Sequence, residues 1–539
     1  MEHYFSVLDY AIFIAYASLI IFVGLWVSRN KKGHTKNSED YFLASKSLTW
    51  WAVGASLIAA NISAEQFIGM SGSGFAIGLG IASYEWMAAI TLILVGKFFL
   101  PAFINKEIYT MPQFLEKRYD NRVRTILAVF WLLVFVFVNL TSVLYLGALA
   151  METIMGIPMM YGIIGLALFA AVYSLYGGLS AVAWTDVIQV IFLVGGGLMT
   201  TWLALDFVSD GQGVITGAKM LLDKAPEKFH MILEKDNPYY MDLPGISVLI
   251  GGMWVANLYY WGFNQYIIQR ALAAKSIKEA QNGIIFAGFL KIIIPIIVVV
   301  PGIAAFVLVN EPQALQHLGA VSENIMPALD HADRAYPWLL GFLPSGIKGL
   351  AFAALAAAIV SSLASMLNST STIFTMDIFK QFINKDASET KLVNIGRLTA
   401  AVALVIAGII APSLSTLDQA FQYIQEYTGM VSPGILVIFL FGLFWKKTTP
   451  NAALWVAVLT LPVAIALKFG VSGIPFMDQM GLCFLILSGI IILISHLEHK
   501  TASVKGLDLP IDIFKTSMSF NIGAVVITTI IAVLYIIFW

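Results

Sequence analysis

Leu57-Ile58-Ala59-Ala60-Asn61-Ile62-Ser63-Ala64-Glu65-Gln66 sets polar side chains in the middle of an apolar run that extends from about residue 50 to residue 74. Far downstream, Gly251-Gly252-Met253-Trp254-Val255-Ala256-Asn257-Leu258-Tyr259-Tyr260-Trp261-Gly262 repeats the pattern. In a hydrocarbon environment an unwound backbone survives only where it lines a cavity or is buried in protein. Polar residues in such a run also serve simply to hydrogen-bond packed helices. Interruptions at matching places in two halves point instead to a binding site between the halves. Here each interrupted segment opens a set of five apolar spans, 50–206 and 246–445. The expected fold is therefore an all-α integral membrane protein built on a five-plus-five inverted repeat, read from layout alone.

Working outward, the whole chain supports a membrane reading. Of its 539 residues 59% are hydrophobic and only 12% charged, about half the charge of a soluble domain. Apolar runs near 7–28, 50–74, 80–104, 122–150, 158–176, 183–206, 246–267, 277–308, 347–381, 391–412, 417–445, 451–470, 477–498 and 519–538 give about fourteen spans. The first is expected to stay as a helix and not be removed as a signal peptide, because its basic residues Arg29, Lys31 and Lys32 follow the apolar run instead of preceding it. With the N-terminus outside, alternate loops collect the cations. They hold Arg29, Lys31, Lys32 and Lys36; Lys117, Arg118, Arg122 and Arg124; Arg270, Lys275 and Lys278; Lys380, Lys385 and Lys391; Lys446 and Lys447; and Lys500, Lys505 and Lys515. The organisation is then an extra N-terminal helix and cytoplasmic loop (1–49), a first repeat (50–206), an extracellular loop (207–245), a second repeat (246–445) and extra C-terminal helices (446–539). The net charge of −1 gives no sign of nucleic-acid binding, and no P-loop glycine motif is present for ATP-driven transport. The lone Cys483 rules out a disulfide or a cysteine metal site within the chain and reads as a small buried apolar residue.

Three groups carry the chemistry. Glu85 and Lys291 lie in apolar runs, where a charge costs at least ~2.5–3.5 kcal/mol, so they are expected to pair with each other, directly or through a polar ligand. A structural salt bridge between helices is the plainer alternative. Glu65 falls where a second half-helix would begin and would favour that helix's positive end. Ala358, Ser361 and Ser362 follow i, i+3, i+4 spacing and share a helix face. Their carbonyl and hydroxyls can supply oxygen to a hard cation, although small residues also serve close helix packing.

At these residues the chain resembles the sodium:solute symporter family, most closely its bacterial sodium/galactose branch. Tyr176-Gly177-Gly178-Leu179-Ser180-Ala181-Val182-Ala183-Trp184-Thr185-Asp186-Val187-Ile188-Gln189 is similar to one family signature and Gln269-Arg270-Ala271-Leu272-Ala273-Ala274-Lys275-Ser276 to another. Ile62 to Gly74, Trp254 to Arg270 and Phe421 to Pro433 carry the likeness to that branch, which runs over nearly the whole chain. The resemblance implies a LeuT-type ten-helix core with extra helices at both ends, in a bacterial inner membrane with both termini external. It implies sodium-coupled uptake of a neutral hexose, galactose or glucose, with sodium, the sugar and the lipid bilayer as partners. By position, Gln66, Glu85, Asn257, Lys291 and Gln425 match the groups that hold sugar hydroxyls, and Tyr260 the aromatic that stacks on the sugar from the cytoplasmic side. Met70, Tyr84 and Phe421 match the outer lid, and Tyr259 and Trp261 are grouped with the gate. The carbonyls of Ala59, Ile62 and Ala358 with the hydroxyls of Ser361 and Ser362 match the sodium site. Asp186 matches an acid on the sodium exit path, and a position at a helix end would equally suit a cap. One departure stands out: Ala88 occupies a position where the branch has a serine that bonds the sugar.

The residue chemistry agrees. Gln66, Asn257 and Gln425 both donate and accept, while Glu85 and Lys291 add no net charge, as a neutral polyol requires. The nearest rival is a symporter of the same family for proline, sialic acid or an inorganic anion; an anion site would more readily show an unpaired arginine. A transporter-like sensor would carry a cytoplasmic signalling domain, whereas the chain runs out at Trp539 at the end of the last span. An intramembrane enzyme is disfavoured because no His-Glu-x-x-His and no paired intramembrane aspartates occur.

Overall fold

The structure is a computed structural model that describes residues 5–27, 47–108, 110–311, 326–417, 419–471, 473–498 and 505–539, with the backbone alone at 21, 24, 25, 27 and 173–184. We number the principal helices α1 (Val7–Val27), α2 (Trp50–Asn61), α3 (Ser71–Ala76), α4 (Ser83–Leu94), α5 (Asn121–Leu133), α6 (Thr141–Met155), α7 (Met159–Val208), α8 (Gly252–Phe263) and α9 (Gln265–Leu272). Next come α10 (Ile277–Asn310), α11 (Ile347–Ile373), α12 (Glu389–Ile410), α13 (Ala420–Gly429), α14 (Ser432–Phe444), α15 (Pro450–Gly470), α16 (Phe476–Glu498) and α17 (Met518–Ile537). Among the described residues the β pairing is one isolated bridge, Leu48 with Ala274. Nine helices there are long and apolar enough to cross a membrane, or ten if α13 and α14, bent by 46° at their junction, are one span.

Local chemistry sets many of the boundaries. Asp120, Ser276, Ser388, Thr449 and Ser517 each accept a backbone N–H at the start of α5, α10, α12, α15 and α17, filling donors a helix leaves open at its N-terminus. Gly156 ends α6 at φ 66°, a left-handed conformation glycine adopts without penalty. The buried carboxylate of Asp9 on α1 accepts from Gly346 N at 2.7 Å and Gly349 N at 2.9 Å, which docks α1 on the N-terminus of α11.

Two layers of burial follow from side-chain size. In the span that begins with α11, rich in Ala and Ser, 89% of the most apolar window is buried inside the protein. Small side chains let neighbouring backbones approach closely, and α11 packs on α1, α2, α7 and α12. In α16 and α17, dominated by larger apolar residues, the same share is 28%, which puts them at the rim. α10 threads the centre against α2, α3, α4 and α7. It contains Pro295 and Pro301, and Pro295 removes the N–H that the Lys291 carbonyl would otherwise receive one turn on.

The first interruption lies where the sequence placed it. α2 stops at Asn61, Ile62 turns extended (φ −79°, ψ 105°), and a π-helical turn Glu65–Met70 restarts the chain and leads into α3. The second lies only partly where expected. Gly252 to Gly262 is regular helix, and the break falls just after it at Asn264 (φ −80°, ψ 120°), with a further kink at Gly251. Glycine and polar residues alone do not unwind a helix whose hydrogen bonds remain intact. The gap expected between spans 158–176 and 183–206 is helical as well: Gly177 and Gly178 belong to one run of 50 residues in α7. At 1.5 Å per residue that run would measure about 75 Å, enough helix for two crossings. Asp186 therefore stands at no helix end and caps nothing. Two cations counted as loop charges, Arg118 and Arg270, are fully buried; Arg118 donates to the carbonyls of Gly442 and Trp445 at 2.8 and 3.1 Å. The loop carrying Lys31, Lys32 and Lys36 lies outside the described residues.

Candidate functional site

The two interrupted helices face α4, α10 and α13 across a cavity lined by many polar side chains. Gln66, Glu85, Asn257, Tyr260, Lys291 and Gln425 all line it, and so do Met70, Tyr84, Tyr259, Trp261 and Phe421. The elements aim these side chains. Gln66 is fixed by the break itself, its Oε1 accepting from Ser63 N at 3.1 Å. Asn257 and Tyr260 project from intact turns of α8, and Asn257 Nδ2 donates to Met253 O at 3.2 Å.

Electrostatics centre on Lys291, which is fully buried. Its ammonium donates to Glu85 Oε2 and to Asn61 Oδ1 and stands 4.9 Å from the Trp261 ring centroid. Asn61 Nδ2 in turn donates to Tyr260 Oη at 3.0 Å, which is paired with Tyr266 Oη at 2.7 Å. Asn61 was not among the expected ligands. It lies in the polar stretch Leu57–Gln66, one residue before the backbone turns, and that position is its only signal. Glu65 also lines the cavity, with Oε1 buried and without a hydrogen-bond partner among the described residues. Ala88 reaches the cavity with a methyl group only. Opposite Lys291, the rings of Tyr84 and Phe421 meet edge to face at 5.1 Å, and Met70 beside them is buried.

The second cluster joins α2 to α11. Ser362 Oγ donates to Ala60 O at 3.3 Å, and Ala59, Ile62, Ala358 and Ser361 are all buried nearby in sequence. Ser361 points its hydroxyl elsewhere, donating to Asp186 Oδ1, while Ser56 Oγ donates to Asp186 Oδ2 at 2.6 Å. Arg270 Nε lies 3.9 Å from the same carboxylate, and its guanidinium donates to Ser365 Oγ. Asp186 thus knots α2, α7, α9 and α11 together. The oxygen atoms gathered here are the Asp186 carboxylate, the hydroxyls of Ser56, Ser361 and Ser362 and the carbonyl of Ala60.

A polar cavity enclosed by apolar helices, beside an oxygen-rich knot at a broken helix, is the build of an ion-coupled membrane carrier. The chain belongs to the sodium:solute symporter family, whose model matches residues 41–459. It is 62% identical to the sodium/glucose cotransporter of Vibrio parahaemolyticus over the full chain and 99% of that protein. It is 33% identical to the human sodium/myo-inositol cotransporter 2, covering 83% of this chain and 67% of the relative. Among solved structures, a sodium-coupled sialic acid symporter in a substrate-bound outward-open state matches with TM-score 0.79 at 25% identity, covering 93% of this chain and all of that one. A nucleobase-cation-symport-1 transporter shares the fold alone, with TM-score 0.53 at 14% identity over 87% of this chain and 98% of that chain. The protein is a sodium-coupled solute symporter, a transporter and not an enzyme, with sodium as the coupling ion.

Proposed function

We propose that the solute is a neutral hexose, glucose or galactose, carried inward by alternating access. The observation that supports this best is the convergence of Gln66, Glu85, Asn257, Tyr260, Lys291 and Gln425 on one cavity. Three amides offer forked donors and acceptors, the Glu85–Lys291 pair adds polarity without net charge, and Tyr260 supplies a flat apolar face. The name of the Vibrio relative points the same way. Sodium is held by the carbonyls of Ala59, Ile62 and Ala358 and the hydroxyls of Ser361 and Ser362, and Asp186 stands on its way out. Met70, Tyr84 and Phe421 close the cavity toward the outside; Tyr260, with Tyr259 and Trp261, closes it toward the inside.

This reading takes the architecture as fourteen spans, counting the broken and short helices that fail a simple length test, with a LeuT-type five-plus-five core over 50–206 and 246–445. Both termini face outward from a bacterial inner membrane. The driving force suffices with one sodium per sugar. One charge crossing ~150 mV contributes about 3.5 kcal/mol, and a tenfold sodium gradient adds ~1.4 kcal/mol. Together these support accumulation of about 10³-fold. Equilibrium binding of labelled glucose, galactose, proline and sialic acid to the purified protein, in sodium and in potassium, tests the substrate class. Sodium-dependent binding of a hexose alone is expected; sodium-dependent binding of proline or sialic acid without hexose would overturn the reading.

A further inference from the structure

The loop between α10 and α11 carries a buried carboxylate with no part in the sugar or sodium sites. Asp333 is 3% exposed. Its Oδ2 accepts from Ala420 N, the first residue of α13, at 2.9 Å. The next residue is Phe421 of the aromatic lid, and Gln425 of the cavity lies one turn on. On its other flank Asp333 lies against α3: a Cβ built on Gly72 would stand 2.6 Å from Asp333 Oδ1 and 2.8 Å from its Cα and N. Beside it, Ser73 Oγ donates to Gln419 Oε1 at 2.9 Å. Resting on the proposed alternating-access reading, we propose that Asp333 is a positioning residue of the outer gate, a latch that holds α13 against α3 when the lid is shut.

Three observations support this. A carboxylate on the open N–H at the start of a ten-residue helix is favoured by both the hydrogen bond and the helix dipole. The Asp333 loop bridges α3, which follows the first break, and α13, the first half of the bent α13–α14 pair, two elements that on this reading must separate for sugar to enter from outside. α3 is anchored independently at its far end, where Lys228 Nζ donates to Ala76 O at 2.5 Å, so the Asp333 bond is placed to release α13 without freeing α3. Glycine at position 72 is what allows the loop so close. Gly72→Ala should therefore push Asp333 away from the opposite side and reproduce the effect of losing its carboxylate.

The test uses the full chain in intact cells, with the lone Cys483 replaced by serine and a single reporter cysteine at Ala256, which lines the cavity. A membrane-impermeant maleimide is applied from outside. Asp333→Ala and Gly72→Ala should each raise the labelling rate about tenfold, while Asp333→Asn, which keeps an acceptor oxygen, should stay close to the parent. A merely structural role would lower the amount of protein in the membrane without changing the rate per molecule. Rates within about twofold of the parent for both Asp333→Ala and Gly72→Ala would overturn the latch. Slower labelling of the parent by hexose plus sodium reports on the sugar pocket separately, so loss of that protection would count against the hexose reading and leave the latch standing.

Discussion

Replacing Lys291 with alanine should be the most damaging single truncation in the cavity. The ammonium is fully buried, donates to Glu85 and Asn61, and faces the Trp261 ring at 4.9 Å. Its removal strands Glu85, itself 3% exposed, as an uncompensated carboxylate, at a cost of about 3–5 kcal/mol for breaking a buried pair from one side. The lost cation–π contact adds about 0.5–2 kcal/mol. Asn61 also loses its contact on Oδ1 while keeping its bond to Tyr260, so the inner aromatic is less firmly held. An amide such as Asn257 or Gln425 leaves neutral partners behind, and its truncation should cost only about 1–3 kcal/mol. At 1.4 kcal/mol per decade, Lys291→Ala should raise the hexose half-saturation by about 10² or more, and Asn257→Ala by about one decade. The assay is initial uptake of labelled hexose in sodium against sugar concentration, normalised to protein in the membrane. The double variant Glu85→Gln with Lys291→Met, which removes both charges, should recover part of the loss. Normal uptake with unchanged half-saturation in Lys291→Ala would refute the pocket assignment.

Ser362→Ala and Ser361→Ala should raise the sodium half-saturation while sugar recognition persists at high sodium, because neither serine lines the sugar cavity; an unchanged sodium dependence in both, measured by uptake against sodium concentration, would leave them a packing role only. By linkage, the sugar should tighten sodium binding by the same factor as sodium tightens sugar, which paired titrations on the purified protein can compare directly. Ala88→Ser restores a hydroxyl to the cavity wall and should tighten hexose binding by about 0.5–1.5 kcal/mol; weaker binding by titration would mean the space is needed for the ring. A cysteine placed between Lys31 and Lys36 should resist impermeant maleimide applied to intact cells, and labelling at the level of an external control site would reverse the topology.

Much of the cavity was legible because the bilayer penalises its residues. Glu85, Lys291 and the mid-span amides are conspicuous in apolar runs, and each of them lines the cavity. What the sequence withheld was pairing at long range. Asn61 meets Lys291 and Ser361 meets Asp186 across separations of 230 and 175 residues, and nothing in local spacing announces either contact. The same holds for Arg270, which reads as a loop cation and is buried beside Asp186. Breaks were legible only in part. At Asn61–Ser63 the polar residues coincide with the turn, whereas Gly252–Gly262 stays wound and the chain opens on either side of it, at Gly251 and at Asn264. Whether a glycine or polar residue unwinds a helix depends on what its tertiary neighbours offer the freed backbone groups. The same physics explains why Gly177 and Gly178 read as a loop yet remain helical in α7.

The central claim is that the sodium gradient drives a hexose through the Gln66–Glu85–Lys291 cavity, and accumulation in sealed proteoliposomes tests it most directly. With sodium outside, potassium inside and valinomycin to set a negative interior, labelled glucose or galactose should rise well above its external concentration. The rise should collapse when a sodium ionophore is added and be absent in Lys291→Ala. Equilibration at the external concentration and no further, or equal accumulation with potassium on both sides, would contradict the account.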